Sequence, residues 1–204
     1  MSGMSEERGR VNQKRRTRAA IIAACQELIM AGADINMPAV ARAALVSEPT
    51  AYRYFPDLAS LLEEALAGIE PDPAAAFAAG ADPCDPVARV AYAAELLAKL
   101  VIERQNAIRP LISVSIARST ARQIRPGYRF GLIDQALAPL TASHSGIGPA
   151  TLEQLRRDLA VVISAEAVLT LTDLYGLDPD AAVASIVHTA RLITEATVGG
   201  NPIG

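Results

Sequence analysis

Apolar residues recur at helical spacing along most of the chain. In residues 17–30, Ile21, Cys25 and Leu28 fall on one stripe, and Gly32 follows where a left-handed helix cap is expected. No segment alternates apolar and polar residues over the length of a β-strand. The pattern therefore predicts an all-α protein whose first helix covers residues 17–30.

Two short helices are predicted directly after the first. Asn36 is expected to cap a helix that starts at Met37 and ends near Ala44, and Ser47 to cap another that starts at Glu48. Two short helices joined by a tight turn form a helix-turn-helix, whose second helix can enter a groove of DNA.

The second of these helices carries the predicted DNA-reading side chains. Ala51 and Phe55 are expected to pack inward. The exposed positions can hydrogen-bond base edges or phosphates, and they are Glu48, Thr50, Tyr52 and Arg53.

A pattern of several short motifs over roughly fifty residues also indicates a DNA-binding helix-turn-helix. It consists of T-R-x-x-I-x-A-A from Thr17, then Gly32, Val40-Ala41, Val46-Ser47 and the run P-T-A-Y-R-Y-F from Pro49. This pattern resembles the TetR-type transcriptional repressors. Two positions depart from the family. Leu45 replaces the usual glycine of the turn, which predicts either a negative φ or strain, and Leu58 replaces a lysine that commonly contacts phosphate.

The resemblance implies a repressor that leaves a palindromic, inverted-repeat operator when a small-molecule effector binds. Residues 17–58 would form the DNA-binding domain, and residues 59–204 would bind the effector and dimerise. A connector helix would cover about residues 57–69. The alternative is a constitutive DNA-binding or protein-interaction module without an effector, and a closed apolar cavity within residues 86–175 would favour the effector-binding interpretation.

The first twenty residues are strongly basic. They hold six basic and two acidic side chains, a net of +4, whereas residues 21–204 hold 13 basic and 20 acidic ones, a net of −7. A flexible basic arm over residues 1–16 is predicted to lie along phosphates or in the minor groove, the alternative being a solvated terminus. Together with the helix-turn-helix, the predicted DNA-binding residues are Arg15, Arg16, Arg18, Asn36, Ser47, Glu48, Pro49, Thr50, Tyr52, Arg53 and Tyr54.

Further helices are predicted after the connector. Residues 71–85 are expected to be mainly loop, and the helices to cover 86–106, from Pro110, from Tyr128, 149–175 and from Asp178. The last two are apolar on more than one side, including the seam Val183, Ile186, Ala190 and Ile193. The resemblance implies that these helices form a homodimer interface through about residues 149–197, which the apolar excess supports, with an intramolecular core as the alternative.

Polar residues among apolar ones are the candidates for effector binding. They are Tyr92, Tyr128, Glu166 and Thr170, to which Arg118 and Arg122 are added from residues 104–129, a stretch without Asp or Glu. An isolated carboxylate such as Glu166 is expected to pair with an arginine, face a cavity or reach solvent. The arginines are interpreted as a site for an anionic effector, as auxiliary phosphate contacts or as a solvated face.

Other function classes find little support. Two His and two Cys in 204 residues, without a metal-binding, phosphate-loop or nucleophile motif, predict neither an enzyme nor a metal site or cofactor. No apolar run is long enough for a membrane helix and no signal peptide is recognisable, so the protein is expected to be cytoplasmic and nucleoid-associated.

Overall fold

A computed structural model describes residues 3–80, 85–117, 127–141 and 146–200. The regular elements of these ranges are all helical, which confirms the predicted all-α class. In chain order they are α1 (Gly3–Met30), α2 (Met37–Ala43), α3 (Glu48–Tyr54), α4 (Leu58–Ala67), α5 (Pro73–Gly80), α6 (Pro86–Glu103), α7 (Gln105–Ala117), α8 (Tyr128–Leu137), α9 (Pro149–Val162), α10 (Ala165–Leu169) and α11 (Pro179–Val198). A 3-10 turn covers Ala138–Thr141 and a π-type turn covers Thr170–Leu174.

The described residues divide into two compact units. The first contains α1 to α4 and α7, and the second contains α5, α6 and α8 to α11. The chain leaves the first unit after Glu70 and returns to it at Arg104. The helix predicted as the connector is α4, and it belongs to the first unit.

The core of the first unit is built on the apolar stripe of α1. That helix packs against α2 and α4, while α2 packs against α3 and α4 against α7. Ile21, Cys25 and Ile29 are buried, together with Val40, Phe55 and Leu62. Because the site is desolvated, the pKa of the Cys25 thiol is raised to about 12.

Side-chain caps fix the starts of the three helices that follow α1. The Ala39 amide donates to Asn36 Oδ1 at 2.8 Å, and the Ser60 amide donates to Asp57 Oδ1 at 2.9 Å. The Thr50 amide donates to Ser47 Oγ at 3.4 Å. These bonds confirm the predicted caps and satisfy amides that lack an intrahelical partner.

Two helices of the first unit differ from the prediction. α1 begins at Gly3, so the expected flexible arm continues the helix over residues 3–16. This segment has no proline and is rich in Glu, Arg, Lys and Gln, which are good helix formers. α7 begins at Gln105, and Pro110 lies inside it instead of at its start. The proline removes only the hydrogen bond to the Asn106 carbonyl, and the packing of α7 on α4 maintains the helix.

The second unit is centred on α6 and α11, which share its most extensive helix contact. Small buried residues allow this approach, namely Ala94, Ala98, Ala182 and Ala190. Two predictions are wrong here. The expected loop contains helix α5, and the expected helix over 149–175 is interrupted after Val162. Ser164 causes the interruption, because its Oγ accepts from the Ala167 amide at 3.1 Å and so starts α10.

Candidate nucleic-acid interface

Helix α3 presents one buried and one exposed side, as its sequence predicts. Ala51 and Phe55 are buried in the core of the first unit. Thr50 and Tyr54 are half-buried. The exposed positions of the helix are Glu48, Pro49, Tyr52 and Arg53. A carboxylate, a phenol and a guanidinium group therefore share a surface that is free to meet another molecule.

An open cleft of about 590 Å³ lies beside this exposed side. Gln13, Lys14 and Thr17 of α1 line it together with Val46, Ser47, Thr50, Arg53 and Tyr54. The cleft thus gathers two cationic groups and several hydroxyl and amide groups on one surface. Such groups are those with which proteins hold the phosphates of DNA.

The basic residues of α1 differ in what they contact. Arg8, Lys14, Arg15 and Arg16 are exposed on the helix. Arg18 instead donates from Nη1 to Glu64 Oε1 at 2.5 Å, and its Cζ lies 4.8 Å from the centroid of the Phe55 ring. Arg18 is therefore a predicted DNA-binding residue whose charge is already paired within its own unit.

Two other predicted DNA-binding residues take part in helix caps. Asn36 Oδ1 accepts from the Ala39 amide, and Ser47 Oγ lies 2.9 Å from the Thr50 hydroxyl as well as accepting from its amide. Arg53 lies over the neighbouring Tyr54, with Cζ 5.6 Å from the ring centroid. The Ser47 cap and this stacking hold the start and the end of α3 in defined positions, whereas the Asn36 cap fixes the start of α2.

The cleft includes residues that the sequence prediction of the site left out. Gln13 and Lys14 precede Thr17 by about one turn on the same side of α1, and Val46 is in the turn before α3. The signal that identifies Gln13 and Lys14 is the continuation of helical spacing upstream of Thr17. The expected flexible arm over residues 1–16 includes these two residues but assigns them to no helix face.

The candidate effector residues lie in the second unit and have different neighbours. Tyr92 donates to the Ala76 carbonyl at 3.1 Å, and its ring meets Phe77 edge to face. Glu166 lies 3.5 Å from Nη1 of Arg129, so the structure contains the first of its three predicted environments. Tyr128 is buried, and Thr170 is exposed at the start of the π-type turn.

The predictions for Arg118 and Arg122 concern residues outside the described ranges. Within those ranges, no cluster of His, Cys, Asp and Glu has a geometry that could hold a metal ion. No helix there is long and apolar enough to span a bilayer.

Among the comparisons with known proteins, the one with solved structures finds a similar fold. No protein-family model and no curated protein matches the chain. The chain is similar to native NalD of Pseudomonas aeruginosa, described as the secondary repressor of the MexAB-OprM multidrug efflux pump. The two share 20% identity over 86% of this chain and 96% of NalD, with a TM-score of 0.47. At this level of similarity the function of NalD does not carry over, and the function has to follow from the residues of this chain.

Proposed function

We propose that the protein is a transcriptional repressor that binds an inverted-repeat DNA operator as a homodimer. The observation that carries the proposal is the cleft that Lys14 and Thr17 of α1 share with Ser47, Thr50 and Arg53. Cations and hydroxyls at such a place can neutralise and orient phosphates, while the exposed side of α3 offers groups for base edges. The net charge of +4 in the first twenty residues attracts DNA to this end of the chain.

Each group of residues then has a distinct role in binding. Glu48 begins α3 and is exposed, so its carboxylate is suited to accept a hydrogen bond from a cytosine amino group. Lys14 and Arg53 would contact phosphates on either side of the groove. Two copies of α3 would read successive major grooves about 34–36 Å apart, which requires the proposed dimer.

Selection of bound sequences from random duplexes tests this function. We expect an inverted-repeat consensus, and an affinity that falls steeply as salt concentration rises because phosphates release counterions. Glu48→Gln should change the preferred base at one position of each half-site. Glu27→Gln is the matched control, because Glu27 is exposed on α1 away from the cleft residues. Failure to enrich any duplex sequence would rule out the operator-binding function.

We also propose that an effector releases the protein from DNA by binding residues of the second unit and of the arginine-rich stretch 104–129. The proposed residues are Tyr92, Tyr128, Glu166 and Thr170, with Arg118 and Arg122 as contacts for an anion. An effector can release the protein from DNA only if the effector binds the released state more tightly than the DNA-bound state.

Arg118→Gln/Arg122→Gln tests the anionic effector, with a fatty acid and its coenzyme A thioester as probes. Loss of probe-induced release at normal operator affinity supports the effector site. Lower operator affinity assigns these arginines to phosphate contacts. Unchanged behaviour in both assays rules out both roles, and a wild-type protein that neither probe releases contradicts an effector of this class.

A further inference from the structure

Arg18 prolongs the buried stripe of α1. It precedes Ile21 by three positions and Cys25 by seven, so all three lie on one side of the helix. Its side chain is 45% exposed, yet its guanidinium group has two specific partners in the first unit. One is the carboxylate of Glu64 on α4, and the other is the ring of Phe55 at the end of α3.

The two partners of Arg18 lie at the end of α3 and on α4. The Phe55 amide donates to the Ala51 carbonyl at 2.9 Å and closes the last turn of α3. Gln26 makes a second polar contact from α1 to α4, because its Nε2 donates to the Ala65 carbonyl at 3.1 Å. The Arg18 side chain thus contacts both the end of α3 and the body of α4.

We propose that Arg18 is a positioning residue for DNA binding and does not contact phosphate. The inference rests on the proposed function and assigns a different role to one of its residues. Glu64 already neutralises the guanidinium group, whereas Lys14 lines the open cleft one turn earlier. Arg18 holds the end of α3 and α4 against α1, which keeps the exposed side of α3 and the cleft cations in one arrangement.

Glu64 is negatively charged, so its removal distinguishes the two roles of Arg18 by whether DNA affinity rises or falls. Removing a carboxylate from a DNA-binding unit strengthens binding when only the overall charge matters. If Glu64 orients Arg18, Glu64→Gln must instead weaken binding. Arg18→Gln should do the same, each by about two- to fivefold, which is the size expected of a half-exposed ion pair.

The experiment measures duplex affinity of the full chain at several salt concentrations. Arg18→Gln and Glu64→Gln should leave the slope of log affinity against log salt unchanged, and the double variant should be no weaker than Arg18→Gln. Arg18→Glu/Glu64→Arg should recover part of the affinity, although position 18 then carries no cation. Lys14→Gln should reduce the magnitude of the slope by about 1.8, as expected for one lost phosphate contact in each protomer of the dimer. Glu95→Gln, which breaks an exposed ion pair of the second unit, should change neither quantity.

Either of two results would overturn the positioning role. One is a reduced salt slope for Arg18→Gln, and the other is equal or stronger binding for Glu64→Gln. Amide hydrogen exchange tests the same role without DNA, so it remains valid if no duplex is bound. Exchange at the amides of Phe55 and Ser60 should be several-fold faster in both single variants and unchanged in Lys14→Gln. Unaltered exchange in Arg18→Gln would show that Arg18 positions neither helix.

Discussion

Leu45 is the one strained residue in the turn between α2 and α3. Its φ is 55°, in the left-handed region that favours glycine, and its side chain is 93% exposed. Of the two predicted outcomes for this position, a negative φ or strain, the structure shows strain. A non-glycine residue in this conformation costs about 1–2 kcal/mol, and burial offsets almost none of that cost here.

Replacing Leu45 with Gly should therefore stabilise the protein. We expect a gain of about 0.5–1 kcal/mol in the free energy of unfolding, because the relief of strain exceeds the added chain entropy of glycine. Urea unfolding monitored by circular dichroism measures it. Leu45→Ala is the control, since alanine keeps the strain and should change stability little. A less stable Leu45→Gly variant would mean that the leucine side chain has a packing role.

Cys25 gives the protein a pH-dependent component of stability. Burial raises the pKa of its thiol from 9.0 to about 12, so the folded state retains the proton after the unfolded state has lost it. This stabilisation is complete below pH 9 and is lost as the pH rises towards 12. Unfolding free energies of the parent and of Cys25→Ala, both carrying Cys84→Ser, should converge over that range. A difference that does not change with pH would contradict the raised pKa.

At the scale of elements, Asn106 joins the start of α7 to the end of α1. Its Nδ2 donates to the Ala33 carbonyl at 2.8 Å and to the Leu28 carbonyl at 3.4 Å. The Ala33 carbonyl lies three residues beyond α1, and the Leu28 carbonyl in the last turn of α1 also accepts from the Ala33 amide at 3.1 Å. The Asn106 side chain thus bonds the segment that ends α1 and holds the start of α7 beside it.

Asn106→Ala should destabilise the first unit by about 1–3 kcal/mol, because the Ala33 carbonyl loses the hydrogen bond from Asn106 Nδ2. Urea unfolding measures this change. Gln105→Ala is the matched control, since Gln105 is exposed and its Oε1 accepts hydrogen bonds from Arg109 of its own helix. Equal effects of the two substitutions would show that the contact to α1 contributes nothing specific.

The elements that could be predicted from sequence are those fixed by local chemistry. Asn36, Ser47, Asp57 and Asp178 cap helices where the sequence places them, because each cap involves residues only three positions apart. Pro110 within α7 could not be predicted, since distant packing overrides the local preference. In the candidate site, the exposed side of α3 could be predicted from the helical spacing of its residues. The ion pair of Arg18 could not, because its partner Glu64 is 46 positions away.

The basic segment that was expected to be a flexible arm is the first half of helix α1. Its helical structure changes how its side chains would contact DNA but not the positive charge that they contribute. Deleting residues 1–16 removes Arg8, Arg10, Lys14, Arg15 and Arg16. We expect weaker binding to every duplex and a flatter salt dependence, because several phosphate contacts are lost together. Affinity measured from low to high salt checks this result. An unchanged slope would remove this half of α1 from the interface.

At the scale of the whole molecule, the second unit exposes large apolar side chains on the helices proposed to dimerise. Val161 on α9 is 74% exposed and Leu192 on α11 is 51% exposed, and the two helices pack against each other. Each apolar residue left in water forgoes about 1.5–3 kcal/mol of burial. A second copy covering both helices would recover part of this, which supports the proposed dimer through residues 149–197.

Val161→Glu/Leu192→Glu should therefore convert the dimer into a monomer, because the substitution places charges in a desolvated interface. Sedimentation velocity measures the oligomeric state, and duplex titration measures the consequence for DNA. The monomer should bind a single half-site as the wild type does and lose the added affinity for the full inverted repeat, since the two reading helices are no longer linked. Met30→Glu, at an exposed apolar residue of the first unit, should leave the dimer intact. If the double variant remains dimeric, the two copies meet through a different surface, and the exposed sides of α9 and α11 have another use.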